Sequence, residues 1–353
     1  MKSSHFLTLA ALLGLGLAFL TGCSANSAAV GVARAPDDDA SPADDDTSPA
    51  DDDNDDDSWT AMSSGTNAML LFAWGSSATN VLVVGSAGAI LQFDGSSWSP
   101  MTSGTTATLS AVWGDAASDV FAVGVLQDAG GDAIGGVTLH YDGASWSPMT
   151  SGTTTGLYGV WGSSGSDVFA VGNSGAIFHY DASSWTTMTS GTTAGLYGVW
   201  GTSASDVFVV GSENVPTTGV ILHYDGSSWS SMASGTTASL YGVWGSSASN
   251  VFAAGANGTT MAGVILQYDG SSWSAVTNET TPVLWGVWGS SASDIFVVGW
   301  DEATDVGLIW HSDGSTWSPM ANFPNDNLFG VWGSSAANVF AVGVPGAILH
   351  YGG

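Results

Sequence analysis

The stretch LYGVWGSSGSDVFAVGNSGAIFHYDASSWTTM, from Leu157 to Met188, recurs with small changes seven times between Trp74 and Tyr351. Each copy contains four short strand-like runs, which contain WG, DVFAVG, GAIFHYD and SSW. Turn-forming Gly, Ser, Asp and Asn residues separate them. A repeat of about 40 residues with four strands is typical of a propeller blade. We therefore expect an all-β, seven-bladed β-propeller of four-stranded blades.

Two series of tryptophans give the number of blades, and both step by 39, 48, 39, 44, 44 and 44 residues. Insertions therefore fall inside the repeats without changing their order. The WG series is Trp74, Trp113, Trp161, Trp200, Trp244, Trp288 and Trp332. The SSW series is Trp59, Trp98, Trp146, Trp185, Trp229, Trp273 and Trp317.

The two ends of the repeat region indicate how the ring closes. The last copy ends at HYGG without an SSW strand, and a stray copy of that strand, SWTAM, precedes the first one. Pairing of the strand near Trp59 with the strand ending at Tyr351 would complete the seventh blade. A closed ring leaves no long unpaired sheet edge. We expect residues 59–353 to form one propeller.

The N-terminal segment has the pattern of an export signal. Residues 1–22 contain Lys2 and an apolar run from Phe6 to Leu20, and Cys23 follows. The string LTGC resembles a bacterial lipobox. That resemblance implies cleavage before Cys23, lipidation of Cys23, and a lipid-anchored protein of the outer membrane or cell surface of a Gram-negative-type bacterium. A lone core thiol is the alternative for Cys23.

An acidic segment joins this anchor to the repeats. Residues 35–58, within a predicted linker of residues 23–58, hold 12 of the 31 acidic residues of the chain. Dense like charges and three prolines favour a disordered, extended spacer. Calcium chelation is the alternative, since Asp oxygens suit that ion, although the run lacks the glycine-turned spacing of a calcium loop. Apart from calcium, the sequence gives no reason to expect a cofactor or metal.

The charge balance excludes several classes of function. Lys2 and Arg34 are the only basic side chains, so residues 59–353 contain none, against 19 Asp and Glu. Nucleic-acid binding depends on Lys and Arg, and anionic membranes repel such a surface. No GxGxxG or P-loop string occurs. We expect no nucleic-acid partner, and membrane contact only through the lipid anchor.

The turn after each third strand carries a recognisable motif. Ser312 to Trp317 resembles the Asp-box, or bacterial neuraminidase repeat, and HYDGSSW from His223 to Trp229 is a near copy. Such turns occur in sialidases, in photosystem-assembly propellers and in other secreted propellers, where they stabilise the blade. The resemblance implies that each turn aspartate accepts backbone N–H bonds in its own hairpin. These residues are Asp94, Asp142, Asp181, Asp225, Asp269 and Asp313.

Sialidase activity does not fit this chain, because that family clamps its substrate carboxylate with three arginines and the ring has none. Another hydrolase of this propeller type needs only two carboxylates, at about 5 to 10 Å. The ring has three glutamates, Glu213, Glu279 and Glu302, all predicted in loops. A glycoside hydrolase or other secreted hydrolase is therefore the alternative function.

Two further positions recur in every blade. The third strand carries His140, His179, His223, His311 or His350, and Gln92 or Gln267 in the other two blades. Because each lies on a different blade, we expect hydrogen bonding rather than a shared metal. The second strand begins with Asn80, Asp119, Asp167, Asp206, Asn250, Asp294 and Asn338, an Asp/Asn exchange that predicts a turn cap.

Binding is expected where the repeats differ. The loop between second and third strands is longer at residues 125–136, 212–218, 256–262 and 300–306 than elsewhere. Variable loops on a rigid scaffold commonly carry recognition. Trp300 lies outside both tryptophan series and is either exposed for binding or folded over its own blade. The candidate ligand-binding residues are Asp128, Asp132, Glu213, Asn257, Trp300, Asp301, Glu302 and Asp305.

The residues as a whole favour a non-catalytic binding or scaffolding propeller that recognises a protein or glycan through its variable loops. The repeated residues have structural explanations, and no catalytic set is left over. We expect a monomer with no assigned catalytic residue. A surface protein without a specific ligand is a third possibility.

Overall fold

The computed structural model describes residues 59–214, 217–276, 282–301, 303–324 and 326–352. These residues form 28 strands in seven antiparallel four-stranded sheets, the blades of a β-propeller. The predicted fold class is therefore confirmed. The predicted signal, Cys23 and the acidic linker lie outside the described residues. Within the described ranges, no helix has the length and apolar character needed to span a membrane.

Strands are numbered in chain order, and β1 (Trp59–Met62) belongs to the last blade. The strands of blade 1 are β2 (Leu70–Ser77), β3 (Asn80–Gly85), β4 (Ile90–Phe93) and β5 (Trp98–Pro100). Those of blade 2 are β6 (Thr108–Ala116), β7 (Asp119–Gln127), β8 (Ala133–Tyr141) and β9 (Trp146–Pro148). Those of blade 3 are β10 (Leu157–Ser164), β11 (Asp167–Gly172), β12 (Ile177–Tyr180) and β13 (Trp185–Met188).

The remaining blades follow the same order from the axis outwards. Blade 4 contains β14 (Gly195–Ser203), β15 (Asp206–Asn214), β16 (Thr217–Tyr224) and β17 (Trp229–Met232). Blade 5 contains β18 (Ser239–Ser247), β19 (Asn250–Ala256), β20 (Gly263–Tyr268) and β21 (Trp273–Ala275). Blade 6 contains β22 (Val283–Ser291), β23 (Asp294–Asp301), β24 (Val306–Ser312) and β25 (Trp317–Pro324). Blade 7 contains β26 (Asn327–Ser335), β27 (Asn338–Val344), β28 (Ile348–Gly352) and β1.

The seventh blade is built from both ends of the described chain. Strand β1 pairs antiparallel with β28, with Trp59 opposite Tyr351 and Met62 opposite Ile348. The Trp59 and Tyr351 rings lie 5.4 Å apart, and Trp59 also contacts Phe296 of blade 6 at 6.3 Å. The predicted ring closure near Trp59 is confirmed.

The hydrophobic core lies between neighbouring blades. In blade 3, β11 is apolar on both faces, and Phe169 and Val171 pack with Leu196 and Val209 of blade 4. A strand covered on both sides needs apolar residues on both sides, which explains the DVFAVG pattern. Each fully buried Val, Leu or Phe side chain stabilises the fold by about 1.5–3 kcal/mol.

The WG dipeptide joins each blade to the next. A β-carbon added at Gly114 would lie only 2.6 Å from the indole of Trp74, so the glycine leaves room for that ring. The same contact occurs between every pair of adjacent blades and closes the ring from Trp332 to Gly75. The seven pairs are Trp74–Gly114, Trp113–Gly162, Trp161–Gly201, Trp200–Gly245, Trp244–Gly289, Trp288–Gly333 and Trp332–Gly75.

The two faces of the disk are built differently. Turns between second and third strands contact the connections between blades, as in the hydrogen bond from Gly88 N to Ala107 O at 2.7 Å. We call this side the loop face. The turns between first and second and between third and fourth strands form the opposite side, here named the hairpin face. The variable loops therefore lie beside the connections between blades.

Candidate functional site

The variable loops of the loop face are shorter than the sequence predicted, because strand pairing continues into them. Glu213 lies in β15 opposite Thr218, and Asp301 ends β23 opposite Val306. Trp300 pairs with Gly307 in the same strand. These three candidate residues therefore lie in strands and not in loops. Glu302 lies outside the described residues.

Three candidate side chains hold their own turns. The Oδ1 atom of Asp128 accepts N–H bonds from Gly130 at 2.8 Å and Asp132 at 3.0 Å. Asn257 Oδ1 accepts similar bonds from residues 259 and 260, and Asp301 Oδ1 accepts one from residue 303. Such bonds are typical Asx-turn contacts. Asp128, Asn257 and Asp301 therefore have local structural roles in the described chain.

The remaining candidates are more available to a partner. Asp132 and Glu213 are exposed, on blades 2 and 4 respectively. Asp305 is half-buried, with a left-handed φ of 59°, and its N–H donates to Asp301 O at 2.8 Å. The sequence candidates therefore lie on different blades of one face and do not converge on a single pocket.

Sequence reasoning missed an apolar tip on blade 2. Leu126 and Ile134 lie in the long β7–β8 hairpin on either side of the Asp128 turn, and Ile134 is 62% exposed. Together with Phe72 they are the exposed large hydrophobic residues of the described chain. The sequence signal that could have indicated this tip is the presence of two apolar residues in an otherwise polar hairpin. Exposed apolar groups of this kind contribute to protein interfaces.

Trp300 is buried, which corrects the reading of it as an exposed binding residue. Its side chain is only 5% exposed and packs in a cluster with Trp285, Phe329 and Val283. The residue follows the glycine that ends each second-strand repeat. In the other blades this place is taken by smaller residues such as Asn173 and Ser212. Trp300 therefore stabilises the loop-face side of the axis.

A ring of side chains, the axial collar, surrounds the propeller axis. Every first strand has a register shift after its first leucine, so that one residue of each blade bulges out of the ladder. A bulge re-aims a side chain. The collar consists of Leu71, Ser110, Tyr158, Tyr197, Tyr241, Trp285 and Phe329.

The collar aromatics contact one another from blade 3 to blade 7. Ring centroids are 5.7 Å apart for Tyr158–Tyr197 and for Tyr197–Tyr241, 4.3 Å for Tyr241–Trp285 and 5.8 Å for Trp285–Phe329. Burial raises the pKa of Tyr158, Tyr197 and Tyr241, so these hydroxyls stay protonated. Asn173 Nδ2 donates to the Tyr158 hydroxyl at 2.8 Å.

A cavity of about 120 Å³ lies at the collar. Its walls are the collar residues and the next one or two residues of each first strand, on the hairpin-face side. No candidate residue of the variable loops lines this cavity. The axial cavity and the variable loops are therefore two separate places in the structure.

The recurring third-strand position forms a hydrogen bond in every blade, as predicted. His179 Nε2 lies 2.6 Å from Asp167 Oδ1, and the corresponding distances are 2.7, 2.7 and 2.6 Å in blades 2, 4 and 6. In blades 1 and 5 a glutamine donates to an asparagine at 3.4 Å. Asp faces His in blades 2, 3, 4 and 6 and Asn faces Gln in blades 1 and 5, whereas blade 7 pairs Asn338 with His350. The turn-cap explanation was therefore incomplete.

These pairs do not form a nucleophilic triad. In blade 3 the Ser163 hydroxyl donates to Asp167, and Asp167 contacts His179 on its other side. A nucleophilic serine needs the histidine next to its hydroxyl, to take its proton. Here the carboxylate lies between them, so the hydroxyl has no imidazole base.

The turn aspartates accept backbone hydrogen bonds within their own hairpins, as predicted. Asp94 Oδ1 accepts from Ser96 N at 2.9 Å and Ser97 N at 2.8 Å. The Ser96 hydroxyl and these N–H groups lower the pKa of Asp94 to about 2. The same hydrogen bonds hold all six carboxylates in the charged form. A general acid needs a raised pKa, whereas the pKa values of these turn carboxylates are lowered.

Asp326 is a half-buried carboxyl that sequence reasoning missed. It lies on the loop face, in the connection between blades 6 and 7, and burial raises its pKa. Among the described aspartates and glutamates, it is the one with a resolved upward shift. In the same ranges, no group of three His, Cys, Asp or Glu side chains is placed to hold a metal ion.

Solved structures with the same architecture have different activities. The structure titled "YCF48 bound to D1 peptide" is 15% identical, with a TM-score of 0.62, and the match covers 86% of this chain and 97% of that one. A GH74 xyloglucanase from Xanthomonas campestris is 10% identical, with a TM-score of 0.65 and coverage of 84% and 53%. A streptogramin B lyase is 12% identical, with a TM-score of 0.66 and coverage of 83% and 96%.

No family model matches this chain, and no curated protein matches it. At such low identities the structural likeness establishes the β-propeller fold and leaves the activity open, because one fold supports many functions. The chain is similar in fold to binding proteins, hydrolases and lyases.

Proposed function

We propose that this chain is a non-catalytic binding propeller that recognises a protein partner through its loop face. The observation that carries the proposal is a division of polar groups. Repeated carboxylates and histidines are hydrogen-bonded within their own blades, whereas the residues that differ between blades lie on the loop face.

The chemistry of that face favours a protein segment with positive charge. Asp132 and Glu213 are exposed there, Ile134 offers an apolar contact, and residues 59–353 contain no Lys or Arg. A surface of one charge attracts oppositely charged partners and increases their association rate. The similar fold of the peptide-bound YCF48 supports a peptide or protein partner over a purely architectural role.

An oligolysine peptide tests this proposal with the full chain. Because the twelve aspartates of residues 35–58 attract the peptide in every variant, the difference between variants is the readout. Fluorescence anisotropy should show binding that weakens as salt is raised, because the attraction is electrostatic. Changing Asp132→Asn together with Glu213→Gln should reduce the affinity several-fold. The matched control, Asp115→Asn with Asp225→Asn, removes the same charge from the hairpin face and should bind normally. Equal losses in both variants, or binding to a glycan array in place of the peptide, would contradict the proposal.

The hydrolase alternative has one candidate acid, since a raised pKa suits a group that donates a proton. If the full chain hydrolysed a glycan and Asp326→Asn abolished the reaction, the binding proposal would be replaced. If the unaltered chain hydrolyses no glycan, and the variant with Asp132→Asn and Glu213→Gln loses peptide binding, the binding function is favoured.

We further propose that lipidated Cys23 tethers the ring to the outer membrane or cell surface. The proposal rests on the apolar run ending in LTGC. Metabolic labelling with a fatty-acid analogue should mark the unaltered chain and not the Cys23→Ala variant. Equal labelling of both would contradict it.

A further inference from the structure

The axial collar departs from the repeat in two adjacent blades. Blades 3 to 7 place an aromatic ring at the collar, whereas blade 1 has Leu71 and blade 2 has Ser110. The next residue differs too, because Phe72 stands where blades 3 to 7 have glycine. Phe72 is 39% exposed and lines the cavity. The collar is therefore incomplete on one side, and the gap is bordered by an accessible aromatic ring.

The cavity has about the size of one ring. Its volume is about 120 Å³, and an engineered apolar cavity of about 150 Å³ binds benzene. Five aromatic side chains, Leu71 and Phe72 provide flat apolar walls. Because Ser110 replaces an aromatic residue, the space is where a further ring of the collar would lie.

The polar groups at this cavity are few and uncharged. No Asp, Glu, Lys, Arg or His is among the residues that line it. The Ser110 hydroxyl and the Trp285 indole N–H are buried, each residue being 7% exposed, and neither has a hydrogen-bond partner among the described residues. A buried polar group without a partner costs about 1–3 kcal/mol. Both atoms have almost no accessible surface, so a ligand in the cavity reaches the Ser110 hydroxyl only once that side chain rotates towards it. A hydrogen bond made there would remove part of the cost.

We propose that the axial cavity binds a small, uncharged aromatic molecule of one ring that carries a hydrogen-bonding group. Phenol is the simplest member of this class. A charged ligand would lose its hydration without an opposite charge to replace it. A pyranose sugar carries a hydroxyl on most of its carbons, and this lining has too few polar groups to satisfy them. The site is separate from the loop face and does not depend on the function proposed for it.

Isothermal titration calorimetry of the full chain with phenol, toluene and glucose tests the inference. We expect phenol to bind more tightly than toluene, and glucose not to bind. Ser110→Tyr introduces the residue that blades 3 to 5 have at this position, so the variant should fold, fill the cavity and lose phenol binding by at least tenfold. Ser110→Ala keeps the space and should weaken phenol binding about 2- to 10-fold, the loss of one hydrogen bond, with little effect on toluene.

The variant with Asp132→Asn and Glu213→Gln should bind phenol normally, which separates this site from the loop face. The inference is overturned if phenol produces no binding heat. It is also overturned if the folded Ser110→Tyr variant binds phenol as well as the unaltered chain, or if glucose binds as tightly as phenol. If Ser110→Tyr does not fold, an unchanged phenol-to-toluene preference in Ser110→Ala would overturn it.

Discussion

The interior of each blade and the loop face follow different rules. The interior repeats the same contacts seven times, and Trp on Gly and the third-strand hydrogen bond occur in every blade. The loop face carries the same short turn in blades 1 and 3, as at Asn173–Gly175, and longer, differing connections in blades 2, 4, 5 and 6, such as the β7–β8 hairpin. Repetition marks the residues that hold the ring together, and difference marks the residues available for recognition.

The largest contrast between the two regions is expected at glycines. A β-carbon at Gly255 would lie 1.9 Å from the backbone oxygen of Ser239, whereas one at Gly135 of the β7–β8 hairpin would meet only Leu126, at 3.9 Å. Gly255→Ala should therefore destabilise the fold by about 3 kcal/mol or more, since backbone must shift. Gly135→Ala should change the stability by less than about 1 kcal/mol. Urea unfolding measures both, and similar stabilities would remove the distinction.

A smaller effect is expected in blade 7, where the third-strand histidine is paired with an asparagine instead of an aspartate. His350 is paired with Asn338 at 3.1 Å, and burial lowers the pKa of its imidazole below the ordinary 6.5. A carboxylate at that distance favours the charged imidazole, so Asn338→Asp should raise the pKa of His350 by about one unit or more. An NMR titration of His350 measures this shift.

The sign of the pH effect follows from the lowered pKa. In the unaltered chain, the stabilisation that depends on neutral His350 is complete above pH 6.5 and declines as the pH falls towards the lower folded pKa. Asn338→Asp should reduce or reverse this decline. The control Asn250→Asp lies beside Gln267, which does not titrate, and should leave the decline unchanged. A decline in Asn338→Asp equal to that of the unaltered chain would contradict the assignment.

The smallest effect is expected at the turn aspartates, which are fully exposed. Because the pKa of Asp94 falls from 3.8 to about 2 on folding, its stabilising effect is complete above pH 3.8 and is lost as the pH falls towards 2. Asp94→Ala should lower the melting temperature slightly at neutral pH and have no effect near pH 2. Asp115→Ala, another exposed aspartate on the hairpin face, serves as the control. A deficit for Asp94→Ala that persists at acid pH would argue against the turn hydrogen bonds.

Most of the fold could be predicted from the sequence, because the repeat specifies strands, blade number and the completion of blade 7 by Trp59. The turn aspartates and the third-strand hydrogen bonds could also be predicted, since they depend on neighbours within one blade. Loop lengths were overestimated at Glu213 and Asp301. Pairing of β15 with β16 and of β23 with β24 extends those strands beyond what their local composition indicates.

The features at the axis could not be settled from the sequence for a different reason. The burial of Trp300 depends on packing against residues of other blades, and periodicity within its own strand does not reveal this. The collar depends on a bulge in each first strand, which redirects one side chain towards the axis. Aligning the seven copies shows that Ser110 and Phe72 deviate from the repeat, but only the three-dimensional structure shows that both border one cavity.

Hydrogen–deuterium exchange of the full chain, with and without the oligolysine peptide, tests the central claim most directly. The account predicts slower exchange in the turns between second and third strands of blades 2 and 4. Exchange in the turns that contain Asp94 and Asp313, on the hairpin face, should not change. Protection confined to the hairpin face, or no protection at a peptide concentration that saturates binding, would contradict the assignment of recognition to the loop face.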